Sequence, residues 1–264
     1  MTRSSQPPQS ILAIDTATDV LSVTLWIRSG RHSGQWTERC DAGLRHTERL
    51  MAIVARLLSG AGITPHDLSL VACMRGPGSF TGLRIGMASA KGLAAAIRRP
   101  DQPLPVVSVP TLECIASGLH AANRIPAAIA LPVIDGRKHR YYGACLRVDS
   151  GGVGRLTDDL DLCASDMVAA ARSAVAAAAS SWRSLPFVVT GPHADGFLAE
   201  LTDQTRAGIV LDLRARAGWS AELSRLAALR AERGEYDRED AGPDYVRSSD
   251  AELSIQTRSN PLGA

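Results

Sequence analysis

Short apolar runs alternate along this chain with segments whose apolar residues recur at helical spacing. Ile11-Leu12-Ala13-Ile14 is wholly apolar and stops at Asp15-Thr16-Ala17-Thr18-Asp19, the pattern of a buried strand running into a turn. Leu21, Val23, Leu25 and Ile27 alternate with their neighbours, which predicts a second strand over 20–27. Ser29-Gly30 then turns the chain into a third, over 31–40. From His46 onward Leu50, Met51, Ile53, Val54, Leu57 and Leu58 keep helical spacing until Gly60. A fourth strand is expected over 68–74, and a proline-free helix over 81–97. Three strands, helix, strand, helix is the order of a mixed α/β half.

A second half is expected from about Pro103. It has strands over 105–109, 129–134, 141–148, 187–190 and 209–213, and helices over 111–121, 165–181 (capped by Ser165) and 219–233. The expected division is a first domain over 1–103, a second over 104–247 whose last helix can pack back on the first, and a flexible tail over 248–264. The halves share a loose order, each opening with an apolar strand that ends in Asp (Asp15, Asp135), but no sequence repeat.

Between the fourth strand and its helix stands Arg75-Gly76-Pro77-Gly78-Ser79-Phe80-Thr81-Gly82-Leu83-Arg84-Ile85-Gly86. Strand, glycine loop, helix is a geometry that aims backbone N–H groups at an anion. The spacing fits neither common version. A P-loop needs Lys and Ser or Thr directly after its last Gly, and Gly82 is followed by Leu83 and Arg84. A dinucleotide loop needs Gly at its sixth position, which counting from Gly76 is Thr81. The structural alternative is a tight turn at Gly76 and Gly78, with Ser79 as helix cap. In the helix that follows, Gly82, Gly86, Ala90 and Ala94 leave one face almost bare, and Ala88, Gly92 and Ala96 form a second narrow face. An interior glycine costs up to about 1 kcal/mol against alanine, so such a face predicts close approach of another element.

Composition narrows the chemistry. With 264 residues, 45% of them hydrophobic, and a formal charge of +2, the chain has enough sequence for a proper core and lacks the global basic field of a nucleic-acid binder. Five scattered cysteines, with no CxxC, suggest neither a disulfide framework nor a zinc knuckle and fit a reducing cytoplasm. No two histidines stand at helical ligand spacing, so no metal site is expected. There is no Gly-x-Ser-x-Gly elbow.

Ile11 to Thr18, His46-Thr47-Glu48-Arg49-Leu50, Arg75 to Gly86 with Lys91-Gly92-Leu93-Ala94, and Pro243-Asp244-Tyr245-Val246-Arg247 together resemble the TsaB (YeaZ) family. The resemblance is dense over residues 11–109 and holds in outline beyond. It implies an α/β, actin-like ATPase (ASKHA) fold of two mixed α/β domains, with no cofactor. It implies a non-catalytic, cytoplasmic subunit in the synthesis of threonylcarbamoyladenosine on tRNA. The implied partners are a TsaD-like catalytic subunit, a TsaE-like ATPase subunit, a second copy of the chain when alone, and tRNA indirectly through the complex; no membrane is involved. One departure stands out: Arg140 occupies the place of a glutamate usual in the family.

Actin-like ATPases hold phosphates in two glycine hairpins. The counterparts here are depleted in glycine: Asp15, Thr16 and Thr18 surround Ala17, and Asp135-Gly136 is followed by Arg137 and Lys138. The expected adenosine-side pair, at Thr190-Gly191-Pro192-His193, has one glycine. This reads as a degenerate nucleotide site, with Asp15 and Asp135 either paired across a cleft or capping strand ends. Gly76, Gly78, Ser79 and Gly82 read as a structural loop. His46, Leu50, Met51 and Val54 of one helix and Leu83, Met87, Ala90 and Ala94 of the next are the expected partner surface. The alternative function is an active actin-like ATPase or phosphotransferase.

Overall fold

The computed structural model describes residues 9–41, 46–97, 103–121, 125–212 and 218–246. The first sheet contains β1 (Ser10–Asp15), β2 (Val20–Ile27), β3 (Gly34–Asp41), β4 (Leu70–Gly76) and β5 (Val106–Pro110), in the order β3-β2-β1-β4-β5. β3, β2 and β1 run antiparallel, whereas β1, β4 and β5 run parallel. The second contains β6 (Ala128–Asp135), β7 (Tyr141–Gly143), β8 (Leu146–Asp149), β9 (Gly152–Arg155), β10 (Leu160–Leu162), β11 (Phe187–Thr190) and β12 (Ile209–Leu211). Here too the early strands pair antiparallel, and β6, β11 and β12 run parallel. The helices are α1 (His46–Gly60), α2 (Phe80–Ala96), α3 (Thr111–Ala121), α4 (Ala164–Ala177), α5 (Ala194–Ala199), α6 (Asp203–Arg206) and α7 (Ser220–Glu232). Each sheet is therefore an antiparallel meander continued by parallel strands through crossover helices, the actin-like arrangement of two mixed α/β domains.

Three apolar clusters hold the layers. Leu50, Ile53 and Val54 of α1 and Met87 and Ala90 of α2 pack with Leu12, Ile14, Val23 and Leu25 on one face of the first sheet. The other face, with Ile11, Ala13, Leu70 and Ala72, packs with α3 and α7, and that cluster continues into Ala130, Leu146 and Val188 of the second sheet. Met167, Val168 and Phe197 cover the far side of the second sheet. Among the described residues no helix is long and apolar enough to cross a membrane.

Several elements differ from the sequence expectation. β5, assigned to the second half, is hydrogen-bonded into the first sheet beside β4. The strand expected over 141–148 is broken, because Cys145 turns its N–H to Thr157 Oγ1 and its carbonyl to Leu156 N–H; β7 then pairs with β10 and β8 with β9. β9 and β10 lack alternation and exist through that pairing. Cys163, not Ser165, precedes α4, and its side chain gives no cap. Leu213 and the 248–264 tail lie outside the described residues.

The expected partner surface needs a larger correction. Leu50, Val54, Leu83, Met87, Ala90 and Ala94 are all buried inside this chain, between 0% and 8% exposed. The apolar stripes of α1 and α2 are used on their own sheet, and of that set only Met51 stands out, 47% exposed. The His46 side chain lies outside the described residues.

The bare face of α2 lies on the turn after β1. A Cβ at Gly82 would sit 2.0 Å from the Thr16 carbonyl oxygen, and one at Gly86 would sit 2.3 Å from Thr16 Oγ1. After α7 the chain returns as a strap over the same domain. Asp237 N–H donates to Val106 O (2.9 Å) and its carboxylate accepts from Ser108 N–H (3.1 Å), covering the outer edge of β5. Lys91 Nζ donates to the carbonyls of Glu239 (2.7 Å) and Ala241, and Asp244 N–H donates to Arg75 O (2.9 Å). Arg84 Nε donates to Tyr245 Oη (2.9 Å), whose ring lies 4.7 Å from that of Phe80.

Two glycines of α2 separate close approach from open space. Gly82→Ala should destabilise by about 1–3 kcal/mol through overpacking against backbone. Gly92→Ala, where a Cβ meets nothing within 4 Å, should stabilise by up to about 1 kcal/mol. Urea denaturation of dilute protein checks both, and equal effects would mean that α2 is not seated on Thr16.

Candidate functional site

A cleft opens where the two sheets present the ends of β1 and β6. Ala17, Thr18 and Asp19 line one wall, Ser79, Thr81, Gly82 and Ile85 of the α2 entry a second, and Ile134, Asp135, Arg137 and His193 a third, around about 110 Å³. An adjoining cavity of about 250 Å³ shares Thr18, Asp19 and His193 and adds Val20, Pro192 and Asp195.

Asp15 does not line this cleft. Its carboxylate is fully buried and accepts N–H bonds from Ala17 (3.1 Å) and Trp219 (2.8 Å), fastening β1 to the start of α7. Burial pushes its carboxyl up to about 6, outweighing the two N–H bonds that pull it down, and nearby Glu222 adds to the rise. Thr16 is also engaged internally: its hydroxyl donates to Gly82 O (2.7 Å). Of the first hairpin candidates only Thr18 reaches the cleft. It is 5% exposed, and its Oγ1 has no hydrogen-bond partner.

The second hairpin is built differently. Asp135 lines the cleft; its Oδ1 accepts from Arg137 N–H (2.7 Å), and its own N–H donates to His193 Nδ1 (3.0 Å). That bond places the His193 ring proton on Nε2. Gly136 N–H donates to Arg140 O (2.8 Å) and closes the turn. Arg137, Lys138 and His139 have φ of 67°, 56° and 58°, three successive left-handed residues, each costing about 1–2 kcal/mol. Arg140 donates from Nε to Asp161 Oδ1 (2.8 Å), tying the turn to β10. Asp15 and Asp135 are thus not an exposed carboxylate pair.

The glycine loop serves the fold at close quarters. Gly76 has φ 129°, and a Cβ there would sit 2.3 Å from Asp244 O. Gly78 has no such φ; its constraint is room, since a Cβ would sit 2.5 Å from Ala17 O. Ser79 caps α2 by accepting from Gly82 N–H (3.2 Å), while its own N–H donates to Ala17 O (2.7 Å). Gly191, on the expected adenosine side, has φ 116° and would place a Cβ 2.3 Å from Val133 O, so it is fixed by the approach to β6. The two cavities carry three carboxylates (Asp19, Asp135, Asp195) against one guanidinium (Arg137), a poor cradle for a polyphosphate. Among the described residues no group of three or more His, Cys, Asp or Glu is placed to hold a metal. Sequence reasoning named His193 only within the expected adenosine-side segment, with no role of its own, and missed the left-handed run, because Arg-Lys-His carries no turn signature.

The family model described as TsaD, tRNA N6-adenosine threonylcarbamoyltransferase, matches residues 41–177. The tRNA threonylcarbamoyladenosine biosynthesis protein TsaB of Escherichia coli (strain K12) is 38% identical over 143 residues, 54% of this chain and 57% of that protein, so the match spans little more than half the relative. The protein of the same description from Bacillus subtilis (strain 168) is 27% identical over 248 residues, covering 92% of this chain and 96% of the relative. The solved structure of YeaZ from Pseudomonas aeruginosa superposes with a TM-score of 0.71 at 25% identity, covering 90% of this chain and all of that one.

The Asp15 carboxyl makes a pH prediction. Its folded value of about 6 lies above the ordinary 3.8, so the stability it contributes is complete below about 3.8 and is lost as pH rises through about 6. The 2-unit rise corresponds to roughly 3 kcal/mol. The stability of wild type relative to Asp15→Asn, from urea titrations at pH 4 to 7.5, should fall by about that amount across the window. A flat difference would mean that Asp15 titrates as an exposed carboxylate.

Proposed function

This chain belongs to the TsaB (YeaZ) family, within the wider family described as tRNA N6-adenosine threonylcarbamoyltransferase, and from that premise we propose that it is a non-catalytic scaffold. In this reading it binds a TsaD-like catalytic subunit and supports it, together with a TsaE-like ATPase subunit, in making threonylcarbamoyladenosine on tRNA. Contact with tRNA runs through the complex, and a second copy of this chain takes the catalytic subunit's place when that subunit is absent.

The observation that carries the reading is the outward side of α1 and α2. Met51, Ala52 and Ala55 of α1 and Ala88, Gly92 and Ala95 of α2 are exposed, with Ile85 and Leu93 half-buried between them. Such a face of methyl groups and bare backbone lets a second helix pair approach closely, and an apolar patch of this kind marks an interaction surface. The cleft supports the non-catalytic part. The Asp15 carboxylate and the Thr16 hydroxyl are bonded within the fold, and the open walls carry more acid than base. No observation favours the alternative of an active ATPase or phosphotransferase.

Ala88→Trp and Ala55→Arg should each weaken pairing with the catalytic subunit by about tenfold or more, about 1.4 kcal/mol. Thermal unfolding of the lone chain should stay close to wild type, since both positions are exposed. Co-purification and a tRNA modification assay with and without the chain check this. Unchanged pairing with both variants would place the interface elsewhere, and modification at full rate without the chain would sink the scaffold role.

A further inference from the structure

We propose that the strap over residues 235–246 is an electrostatic latch, a unit that detaches from the first sheet while α7 stays docked, uncovering the edge of β5 and the Lys91 ammonium of α2. The proposal does not rest on the scaffolding role. The strap has little apolar hold. None of its residues is fully buried, none belongs to the buried apolar core, and Tyr236 packs against that core only in part. Its charge is lopsided, with five carboxylates (Glu235, Asp237, Glu239, Asp240, Asp244) against the one guanidinium of Arg238. Like charges this dense repel one another, and the segment is held down by two cations, one of α2 and one of β4. Lys91 Nζ turns its three N–H groups to strap carbonyls, those of Arg238 (3.5 Å), Glu239 (2.7 Å) and Ala241. Arg75 donates from Nε to Ser108 Oγ (2.9 Å) and from Nη2 to Asp237 Oδ1 (3.3 Å), with Asp244 Oδ2 at 3.9 Å.

An independent observation sets a cost on the closed state. The Asp237 side chain is 4% exposed, and among the described residues its Oδ2 has no hydrogen-bond partner. A buried carboxylate oxygen in that position forfeits its hydration, and detachment restores it. Against this stands a short set of bonds along the sheet edge: Asp237 N–H to Val106 O, Ser108 N–H to Asp237 Oδ1, and Asp244 N–H to Arg75 O. Segments with few buried apolar contacts and exposed backbone bonds open at a lower free energy than the whole fold. The hinge is in place as well, since Gly234, just past the end of α7, is exposed and has φ 77°. α7 has its own fastening. Trp219 N–H is held by Asp15, Ser220 Oγ by the hydroxyls of Ser22 (2.6 Å) and Thr24 (2.7 Å), and Leu223, Ala227 and Ala231 are buried. Detachment therefore leaves Val106 O and Ser108 N–H bare, an edge to which a further strand can add. Because cations on carbonyls and carboxylates supply much of the hold, added salt weakens it.

The test is hydrogen exchange of the full chain at pH 7, read amide by amide at low and high salt and over a range of low urea concentrations. The Ser108, Asp237 and Asp244 amides should share one protection, about tenfold or more below that of the Leu223 amide inside α7. Their exchange should quicken with salt and respond weakly to urea, whereas Leu223 should respond steeply, because a detached strap exposes far less surface than an unfolded chain. Lys91→Met, which keeps the apolar stem and removes the donors, should quicken the three amides by about tenfold or more. Ala88→Trp should leave them unchanged, so that loss of pairing and opening of the strap are separable. Exchange of the three amides only at the Leu223 rate would mean that the strap leaves only with the whole fold. Three unrelated rates would mean fraying residue by residue, and no response to salt or to Lys91→Met would remove the electrostatic hold. Each of these results overturns the proposal.

Discussion

The fold turns on two missing side chains. Gly82 and Gly86 let α2 settle on the turn after β1 until the Thr16 carbonyl lies 2.0 Å from where a Cβ would stand. That single approach decides several things together. It draws the Thr16 hydroxyl onto Gly82 O, brings Ser79 N–H to Ala17 O, and forces Gly78 to do without a side chain. Loop, turn and helix entry thereby satisfy one another's backbone groups. Of the donors that a strand–glycine–helix unit ordinarily offers an anion, those of Ser79, Gly82 and Leu83 are used within the protein.

The same seating sorts the two faces of α2. One is committed to the sheet, and the opposite one, with Ala88, Gly92 and Ala95, is left outward beside the half-buried Ile85 and Leu93. Meanwhile Asp15 acts as a staple. Its carboxylate joins β1 to the first turn of α7, and burial raises its proton affinity to near neutrality. An acid at the end of a strand, a nucleotide-site candidate on sequence alone, has here been absorbed by the packing of the fold.

Much of this was legible in the sequence, and the part that was not has a physical cause. The strong alternation of β2, the wholly apolar β1 and the 3.6-residue rhythm of α1 and α2 each mark one element. The glycine spacing in α2 announced a close approach. Periodicity states which face of a helix is covered but not by what, and for that reason Leu50, Val54, Leu83 and Met87 read as partner contacts when they are core. β9 and β10 are short and weakly patterned, and pairing partners create them. The cleft residues Asp19, Asp135 and His193 meet only through tertiary structure. The left-handed run 137–139 is imposed on residues that locally prefer other conformations.

The strap and α7 bear on how the molecule is made. They pack on the first sheet yet follow the second sheet in sequence, so the first sheet is completed by chain made after the second. Among the described residues α7 is the helix that covers the back face of β1, and that cover is missing while the ribosome adds residues 122–218. The outer edge of β5 stays open until Asp237 arrives. At about 5–20 residues per second that interval is on the order of ten seconds. During synthesis this chain displays an unfinished sheet edge until residues that follow the second sheet arrive.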